Sequence, residues 1–326
     1  MRAVQLHKHG SADELFIGEV AIPERKSGQV LVQVRATALN RADLLQRQGK
    51  YPPPEGESNI LGLEMAGEVI ESDSESRWQP GAKVMALLAG GGQAEYAAVP
   101  ESLLMAIPDN LSFTEAAAIP EVFLTAYQTM FFEGKSKPGH SVLIHAGGSG
   151  VGTAAIQLAK AEGMQAYVTC SKPKHKTCLE LGATLAIDYK VEAFDEIILE
   201  KTDYKGVNII LDFIGAPNIK PNVRSLGNGG RLVMIALMGG FNAIDINLIP
   251  IMHKHLTIVG TTLRSRSLEY KGRLVAAFAE KFLHQFSTGS IKPVIDSVFK
   301  LEDIALAHRH MEANKNTGKI VIEIKE

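Results

Sequence analysis

The feature that most restricts the fold of this chain is a rhythm. After Pro138-Gly139, short apolar runs alternate with amphipathic stretches. The pattern predicts strands at 141–146, 165–170, 184–188, 207–213, 231–236 and 256–260. Helical stretches fall between most of them, for example 151–162 and 174–181. Strands that are apolar along their whole length need cover on both faces, and helices that return the chain from strand to strand supply it. With right-handed crossovers, the architecture that follows is a doubly wound parallel sheet.

The flanks have another texture. Up to residue 117 the chain is mainly β, with alternating runs such as QVLVQVRA (29–36) separated by turn clusters such as Lys26-Ser27-Gly28. YPPP (51–54) predicts an extended loop. A helical stretch at 112–132, broken around Pro120, leads into the alternating region. A strand at 294–300, a helix at 302–312 and a strand at 319–324 return to the first texture. The expected α/β plan is a parallel-sheet domain at 118–265 inserted between two parts, 1–117 and 266–326, of a β-rich domain. A length of 326 residues suits two domains of about 150 residues each.

HAGGSGVG (145–152) lies where the first of these strands meets its helix. Glycines there let the backbone turn tightly and approach a dinucleotide pyrophosphate, and the helix N-terminus offers N–H groups and a positive dipole end. Gly147 and Gly152 fit the first and third positions of G-x-G-x-x-G, whereas Ser149 holds the middle one. The strand before, the helix after and the continuing rhythm favour a nucleotide site over a merely close-packed turn. An NAD site usually carries an acid about 20 residues on, at the end of the second strand. That region here is Val168-Thr169-Cys170-Ser171, followed by Lys172, Lys174, His175 and Lys176. Ser171 and Lys174 suit a 2′-phosphate, which an acid would repel, so the expected cofactor is NADPH. A solvated, idle helix start is the competing reading of the lysines.

Composition removes other classes. A net charge of −2 gives no general field for nucleic acid. Two cysteines, Cys170 and Cys178, cannot build a disulfide framework, and the usage suggests a reducing compartment. The uncharged segment 138–159 carries five glycines and two histidines, which argues against a membrane span. The N-terminal segment shows no signal-peptide pattern, and the expectation is a soluble cytoplasmic protein. Paired histidines at 253 and 255 and at 308 and 310 have no third ligand nearby in sequence, and Ser149 is better explained by the phosphate turn than as a hydrolase nucleophile. Trp78 reads as a packed loop aromatic.

Several segments together resemble the zinc-independent quinone oxidoreductases of the medium-chain dehydrogenase/reductase superfamily. They are ALNRADLLQRQGKYPPP (38–54), NILGLEMAGEV (59–69), LLAGGGQAEYAAVP (87–100), AAAIPEVFLTAYQ (116–128), HAGGSGVGTAAIQLAK (145–160), LMGG (237–240), LRSR (263–266) and HMEANKNTGKIV (310–321). The resemblance spans essentially the whole chain. It implies that the β-rich domain is a partly open, GroES-like barrel, that the nucleotide domain is of Rossmann type, and that the active site lies in the cleft between the two. It also implies a homodimer formed through the edge strand at 256–260. Zinc-dependent relatives carry Cys where this chain has Asn40, and G-H-E where it has Gly62-Leu63-Glu64. The four-cysteine structural lobe is missing as well. No metal is therefore expected, and Glu64 is read as a structural carboxylate.

The resemblance further implies hydride transfer from NADPH to a small hydrophobic quinone. Alternatives are reduction of an α,β-unsaturated carbonyl and a non-catalytic NADPH-binding sensor. Asn40 would orient the acceptor or the nicotinamide, or merely bond backbone at a strand end. Tyr51 would donate its hydroxyl to the acceptor oxygen, or cover the cofactor with its ring. Arg264 would supply positive charge or close over the cofactor, with Arg266 competing for the role. Thr125 would line the nicotinamide end, and Gly150, Val151 and Gly152 would meet the pyrophosphate. Tyr189 would stack beside the adenosine or bond a phosphate. Gly215 and the loop of Leu237, Met238 and Gly239 follow later strands, where ligands collect in such folds. Asn316 would reach back to the cofactor.

Overall fold

In the computed structural model, which describes residues 1–324, the apolar strand Ser141–Ile144 is fully buried from Val142 to Ile144 and is central to a six-stranded sheet. The spatial order is Leu185–Ile187, Gln165–Thr169, Ser141–Ile144, Val207–Asp212, Leu226–Met234 and Thr257–Gly260. In chain order this is 3-2-1-4-5-6, with every pair parallel. The order reverses between Ser141–Ile144 and Val207–Asp212, the point at which such sheets bind nucleotides. Phe194 and Ile198 of helix Phe194–Lys201 and Ile219 of helix Ile219–Ser225 pack with Leu143, Tyr167, Ile210 and Leu232 in one apolar cluster. Each such side chain contributes roughly 1.5–3 kcal/mol on burial.

The chain divides into two compact units, Met1–Leu124 with Leu263–Glu326, and Thr125–Thr262. The boundaries expected at 117 and 265 therefore move to 124 and 262. The cause lies in two segments. Pro120 opens helix Pro120–Tyr127, where its missing N–H costs nothing, and Phe123 on that helix packs edge-on against Phe286 at 4.9 Å within the first unit. Arg264 is likewise held by first-unit groups, described below. The helix continues into a π-helical stretch, Gln128–Glu133, which the sequence pattern did not predict. The strand expected at 231–236 is Leu226–Met234. Its first half, rich in glycine, pairs Leu226 with Val207 across a register shift.

The first unit is built on a seven-stranded sheet, with a hairpin of Arg2–Leu6 and Leu15–Glu19 beside it in the chain. The ten-residue strand Gln29–Ala38 organises the sheet. Along one edge it pairs with Glu64–Glu71; along the other its first half pairs with Tyr96–Pro100 and its end with Lys319–Glu323. Three neighbours on one strand curl the sheet toward a barrel. The last strand thus returns the end of the chain to Ala38, opposite Val321. Among the described residues, no helix is long and apolar enough to cross a membrane.

Candidate functional site

The glycine turn in the Thr125–Thr262 unit is shaped by exclusion. A Cβ on Gly147 would lie 2.7 Å from Val168 Cβ, and one on Gly152 would lie 2.4 Å from the Ala146 carbonyl oxygen. Both positions need glycine for close approach of backbone, not for positive φ. Ser149 is the N-cap of helix Gly150–Ala161: its Oγ accepts the Gly152 N–H at 3.0 Å. Its hydroxyl oxygen thereby completes the start of the helix, while its O–H remains able to donate. The N–H groups of Gly150 and Val151 have no protein acceptor among the described residues, so the first turn presents donors at a positive helix end. This cradle, closed to any side chain, fits a pyrophosphate.

Lys174 reaches the same turn. A Cβ on Gly148 would lie 2.5 Å from Lys174 Cδ, so the lysine stem crosses the bare face of that glycine. Its backbone N–H donates to the Ser171 carbonyl at 2.9 Å, closing the loop after strand Gln165–Thr169. Lys174 thus lies against Gly148, and Ser171 is joined to it through this backbone hydrogen bond. Thr125 is buried on the helix that opens this unit, and its carbonyl accepts the Thr129 hydroxyl at 2.8 Å.

Beyond the fourth strand, Gly215 adopts φ +86° and donates to Asp212 Oδ1 at 3.2 Å. A Cβ there would strike the Gly240 carbonyl oxygen at 2.6 Å. The following loop folds onto this one: Met238 and Gly239 donate to the carbonyls of Phe213 and Ile214. Leu237 and Met238 are half exposed. Tyr189 lies in the loop after the outer strand and is exposed. Asn316 belongs to the first unit, where its amide donates to the Gly318 carbonyl at 2.9 Å.

A deeper network ties three of these strand ends together. Asn222 donates through Nδ2 to Asp212 Oδ2 at 3.1 Å, which leaves its Oδ1 as acceptor for His145 Nε2 at 2.7 Å. His145 is then the Nε2–H tautomer, and its Nδ1 accepts the Thr169 hydroxyl at 2.8 Å. Burial pushes the His145 pKa down, against the opposing pull of Asp212, and holds the ring neutral.

In the first unit, Asn40, Glu64 and Lys319 form a buried cluster, 7%, 0% and 3% exposed. All three N–H bonds of the Lys319 ammonium are used: to Glu64 Oε1 at 2.7 Å, Asn40 Oδ1 at 2.7 Å and the Leu39 carbonyl at 2.8 Å. Asn40 Nδ2 donates to Glu64 Oε1 at 2.9 Å and to the Ala38 carbonyl at 3.3 Å. The Glu121 N–H donates to Glu64 Oε2 at 2.9 Å. Both amide hydrogens of Asn40 are therefore committed inside the unit. Of the two expectations for Asn40, orienting a bound molecule or bonding backbone at a strand end, the second describes its bond to the Ala38 carbonyl. Sequence reasoning missed Lys319, because only the final strand's return beside Ala38 brings it there.

Arg264 is 6% exposed and holds the loop that carries Tyr51. Its Nε donates to the Ala89 carbonyl at 2.7 Å, one terminal nitrogen to the Tyr51 carbonyl at 3.1 Å, and the other to Gln46 Oε1 at 2.6 Å. Its guanidinium lies 5.2 Å from the centre of the Tyr51 ring. Arg266 instead lies over Tyr270. Arg264 is thus anchored in place beside Tyr51. The Tyr51 hydroxyl has no protein partner among the described residues, and burial pushes its pKa up despite the charge of Arg264. Tyr51 therefore remains a neutral O–H donor. Asp43, fully buried, ties two segments together by accepting the N–H groups of Asn40 at 2.8 Å and Gly62 at 3.0 Å, and burial lifts its pKa to about 6.

The chain matches the model of the alcohol dehydrogenase GroES-like domain over residues 26–109 and that of the zinc-binding dehydrogenases over 150–280. The human synaptic vesicle membrane protein VAT-1 homolog is 32% identical over 342 residues, 99% of this chain and 86% of its own. Human quinone oxidoreductase is 31% identical over 328 residues, 99% of this chain and 97% of its own. Among solved structures, an NAD-dependent alcohol dehydrogenase superposes with a TM-score of 0.87 at 29% identity, covering 100% of both chains. The CurK enoyl reductase superposes with a TM-score of 0.87 at 27% identity, covering 99% of both. Fold and turn define a pyridine-nucleotide-binding oxidoreductase. The chain belongs to the medium-chain dehydrogenase/reductase family, in its quinone oxidoreductase and enoyl reductase-like part. Zinc, which one matching model's description implies, does not fit the residues present. Asn40 and Leu63 offer neither thiolate nor imidazole, and Glu64 is already paired with an ammonium.

Proposed function

We propose that the protein is an NADPH-dependent quinone oxidoreductase that works without zinc. The observation that carries this reading is Lys174 lying across Gly148, with no acid at 168–171 to favour NAD. Gly147, Gly150, Val151 and Gly152 would cradle the pyrophosphate, with Ser149 capping the helix. Ser171 and Lys174 would take the 2′-phosphate. Thr125, Tyr189, Gly215, Leu237, Met238 and Gly239 would complete the nucleotide site, with Asn316 a further contact.

When bound, NADPH supplies the hydride, and the chain's own residues prepare the acceptor. Tyr51 donates its hydroxyl to the acceptor oxygen as negative charge develops there. Arg264 fixes Tyr51 and adds positive charge beside it. Asn40, held by Glu64 and Lys319, caps helix Arg41–Arg47, whose Gln46 in turn holds Arg264. A quinol oxygen takes its proton from water, whereas an enolate carbon needs a placed acid, and this favours quinones. Similarity to an enoyl reductase structure supports reduction of unsaturated carbonyls as the second reading. Pairing of the edge strand Thr257–Gly260 with a second copy, covering exposed Leu248, Ile249 and Met252, would give a homodimer, a point that sedimentation velocity tests.

The decisive assay follows nucleotide absorbance with purified protein, NADPH or NADH, an ortho-quinone or an enal, and a chelator. Faster oxidation of NADPH by the quinone, unaffected by chelator, is expected. A faster enal moves the substrate to the second reading. Tight nucleotide binding with no turnover of either acceptor would mean a sensor and would remove the catalytic role of Tyr51.

A further inference from the structure

The only two cysteines of the chain touch. Cys170 directly follows the strand Gln165–Thr169 and leads into the Ser171–Lys174 loop, and Cys178 lies on helix His175–Leu181, which that loop enters. Their sulfurs are 3.7 Å apart, and the side chains are 2% and 0% exposed. Lys174 immediately precedes the helix, and its stem rests on Gly148 of the phosphate turn. A disulfide is about 2.05 Å long, so the sulfurs must close by more than 1 Å to join, a movement shared between the two side chains and the helix that carries Cys178. The residue at that junction is Lys174.

We propose that Cys170 and Cys178 are a redox modification site: a hydroperoxide joins them in a disulfide that shifts Lys174 from its seat on Gly148 and weakens the grip on a 2′-phosphorylated nucleotide. This rests on the NADPH reading above. The Cys178 thiol donates to Cys170, and this hydrogen bond, with the Lys174 charge, pushes the Cys170 pKa down despite burial. Cys170 is thus the attacking sulfur. Its thiolate attacks one peroxide oxygen, the O–O bond breaks, and sulfenic acid and hydroxide result. Cys178 then attacks the sulfenic sulfur, the S–S bond forms, the S–O bond breaks, and the Cys178 proton leaves with the departing hydroxide as water. Two thiols lose two electrons and two protons, and the peroxide becomes two waters. Burial limits the oxidant to one as small as hydrogen peroxide. The coupling is reciprocal: a bound 2′-phosphate places negative charge near Cys170 and slows its oxidation.

The test treats the purified protein with hydrogen peroxide. Peptide mass spectrometry reads the Cys170–Cys178 link, and nucleotide fluorescence reads Kd for NADPH and NADH before and after. The expected result is an internal disulfide with an NADPH Kd raised about tenfold or more, as for loss of one charge-assisted contact. NADH affinity should stay within about twofold, dithiothreitol should restore the original values, and Cys178→Ala should not respond. If that variant does not fold, dithiothreitol reversal on the unaltered chain provides the same contrast. Two results overturn the proposal: both thiols still reacting with a maleimide when peroxide-treated protein is denatured, or a disulfide that leaves NADPH affinity unchanged. Equal affinity of the reduced protein for both nucleotides overturns the NADPH reading and the coupling with it. That failure is distinguishable, because it is read before any oxidant is added and the disulfide is read by mass.

Discussion

Replacing Lys319 by Met keeps the length of the side chain and removes its charge. Glu64 is then left at 0% exposure without its ammonium, holding only the Asn40 amide and the Glu121 N–H. Two further acceptors, the Leu39 carbonyl and the Asn40 side-chain Oδ1, also lose their donor. Breaking a buried ion pair from one side typically costs about 3–5 kcal/mol, because the remaining charge stays desolvated. In a unit of this size each kcal/mol moves the midpoint by roughly 2–4 °C, so thermal unfolding of Lys319→Met should fall by roughly 6–20 °C. Urea unfolding of the single variants Lys319→Met and Glu64→Gln and of the double variant completes a cycle. The double variant should recover most of the loss, since no unpaired charge remains. A loss below about 1 kcal/mol for Lys319→Met, the value of an exposed pair, would refute the buried-cluster reasoning. Strict additivity of the two single losses would refute it equally.

Tyr51→Phe removes the hydroxyl and keeps the ring over Arg264; quinone kcat should fall by about 10²-fold or more, with KM for NADPH unchanged in steady-state assays. Lys174→Gln should lower NADPH affinity about tenfold or more while sparing NADH, read by nucleotide titration. Gly148→Ala, by pushing on the Lys174 stem, should act in the same direction. His308 is buried against Arg47, and burial, aided by that charge, pushes its pKa down to about 3. The unfolded chain takes up this proton near pH 6.5 and the folded chain does not, so stability is complete above pH 6.5 and falls as the pH drops toward 3, by about 1.4 kcal/mol per unit. Asp43 works in the opposite sense between pH 6 and 4, because its raised pKa of about 6 makes the folded state the better proton binder there. The difference in urea midpoint between the parent chain and His308→Gln, followed from pH 7 to pH 4, isolates the histidine and should narrow with acid.

The parallel sheet was legible because its signal is local: each strand is an apolar run, each helix an amphipathic one, and the glycine turn lies at their junction. Leu226–Met234 was seen only in its second half, because Gly227, Gly229 and Gly230 lack the side chains that mark a strand. Lys174 was legible for the same local reason, standing a few residues beyond the second strand. The first-unit cluster was not. Lys319 and Asn40 are 279 residues apart, and only the pairing of the last strand with Ala36, Thr37 and Ala38 joins them. The sequence left Asn40 between orienting a bound molecule and bonding backbone; its occupied amide is a tertiary fact. The anchoring of Arg264 by Gln46 and Ala89 was not legible, because it joins segments far apart in the chain. The contact of Cys170 with Cys178 carried a faint signal, a spacing of eight that spans a strand end and the first turns of a helix.

The nucleotide-binding unit begins and ends at nearly the same place. Gln128, three residues into it, donates through its amide to the Thr261 hydroxyl at 3.2 Å and the Thr262 carbonyl at 3.4 Å, the last residues before the chain leaves. To the polypeptide that receives it, an insertion of this kind resembles a surface loop more than a second protein, since loop-closure entropy grows only with the logarithm of length and is small when the ends already meet. A module with touching ends is portable. It can be lifted, exchanged or duplicated between hosts without rethreading either partner, and this gives a physical reason why one nucleotide-binding scaffold can be paired with many different acceptor-binding loops.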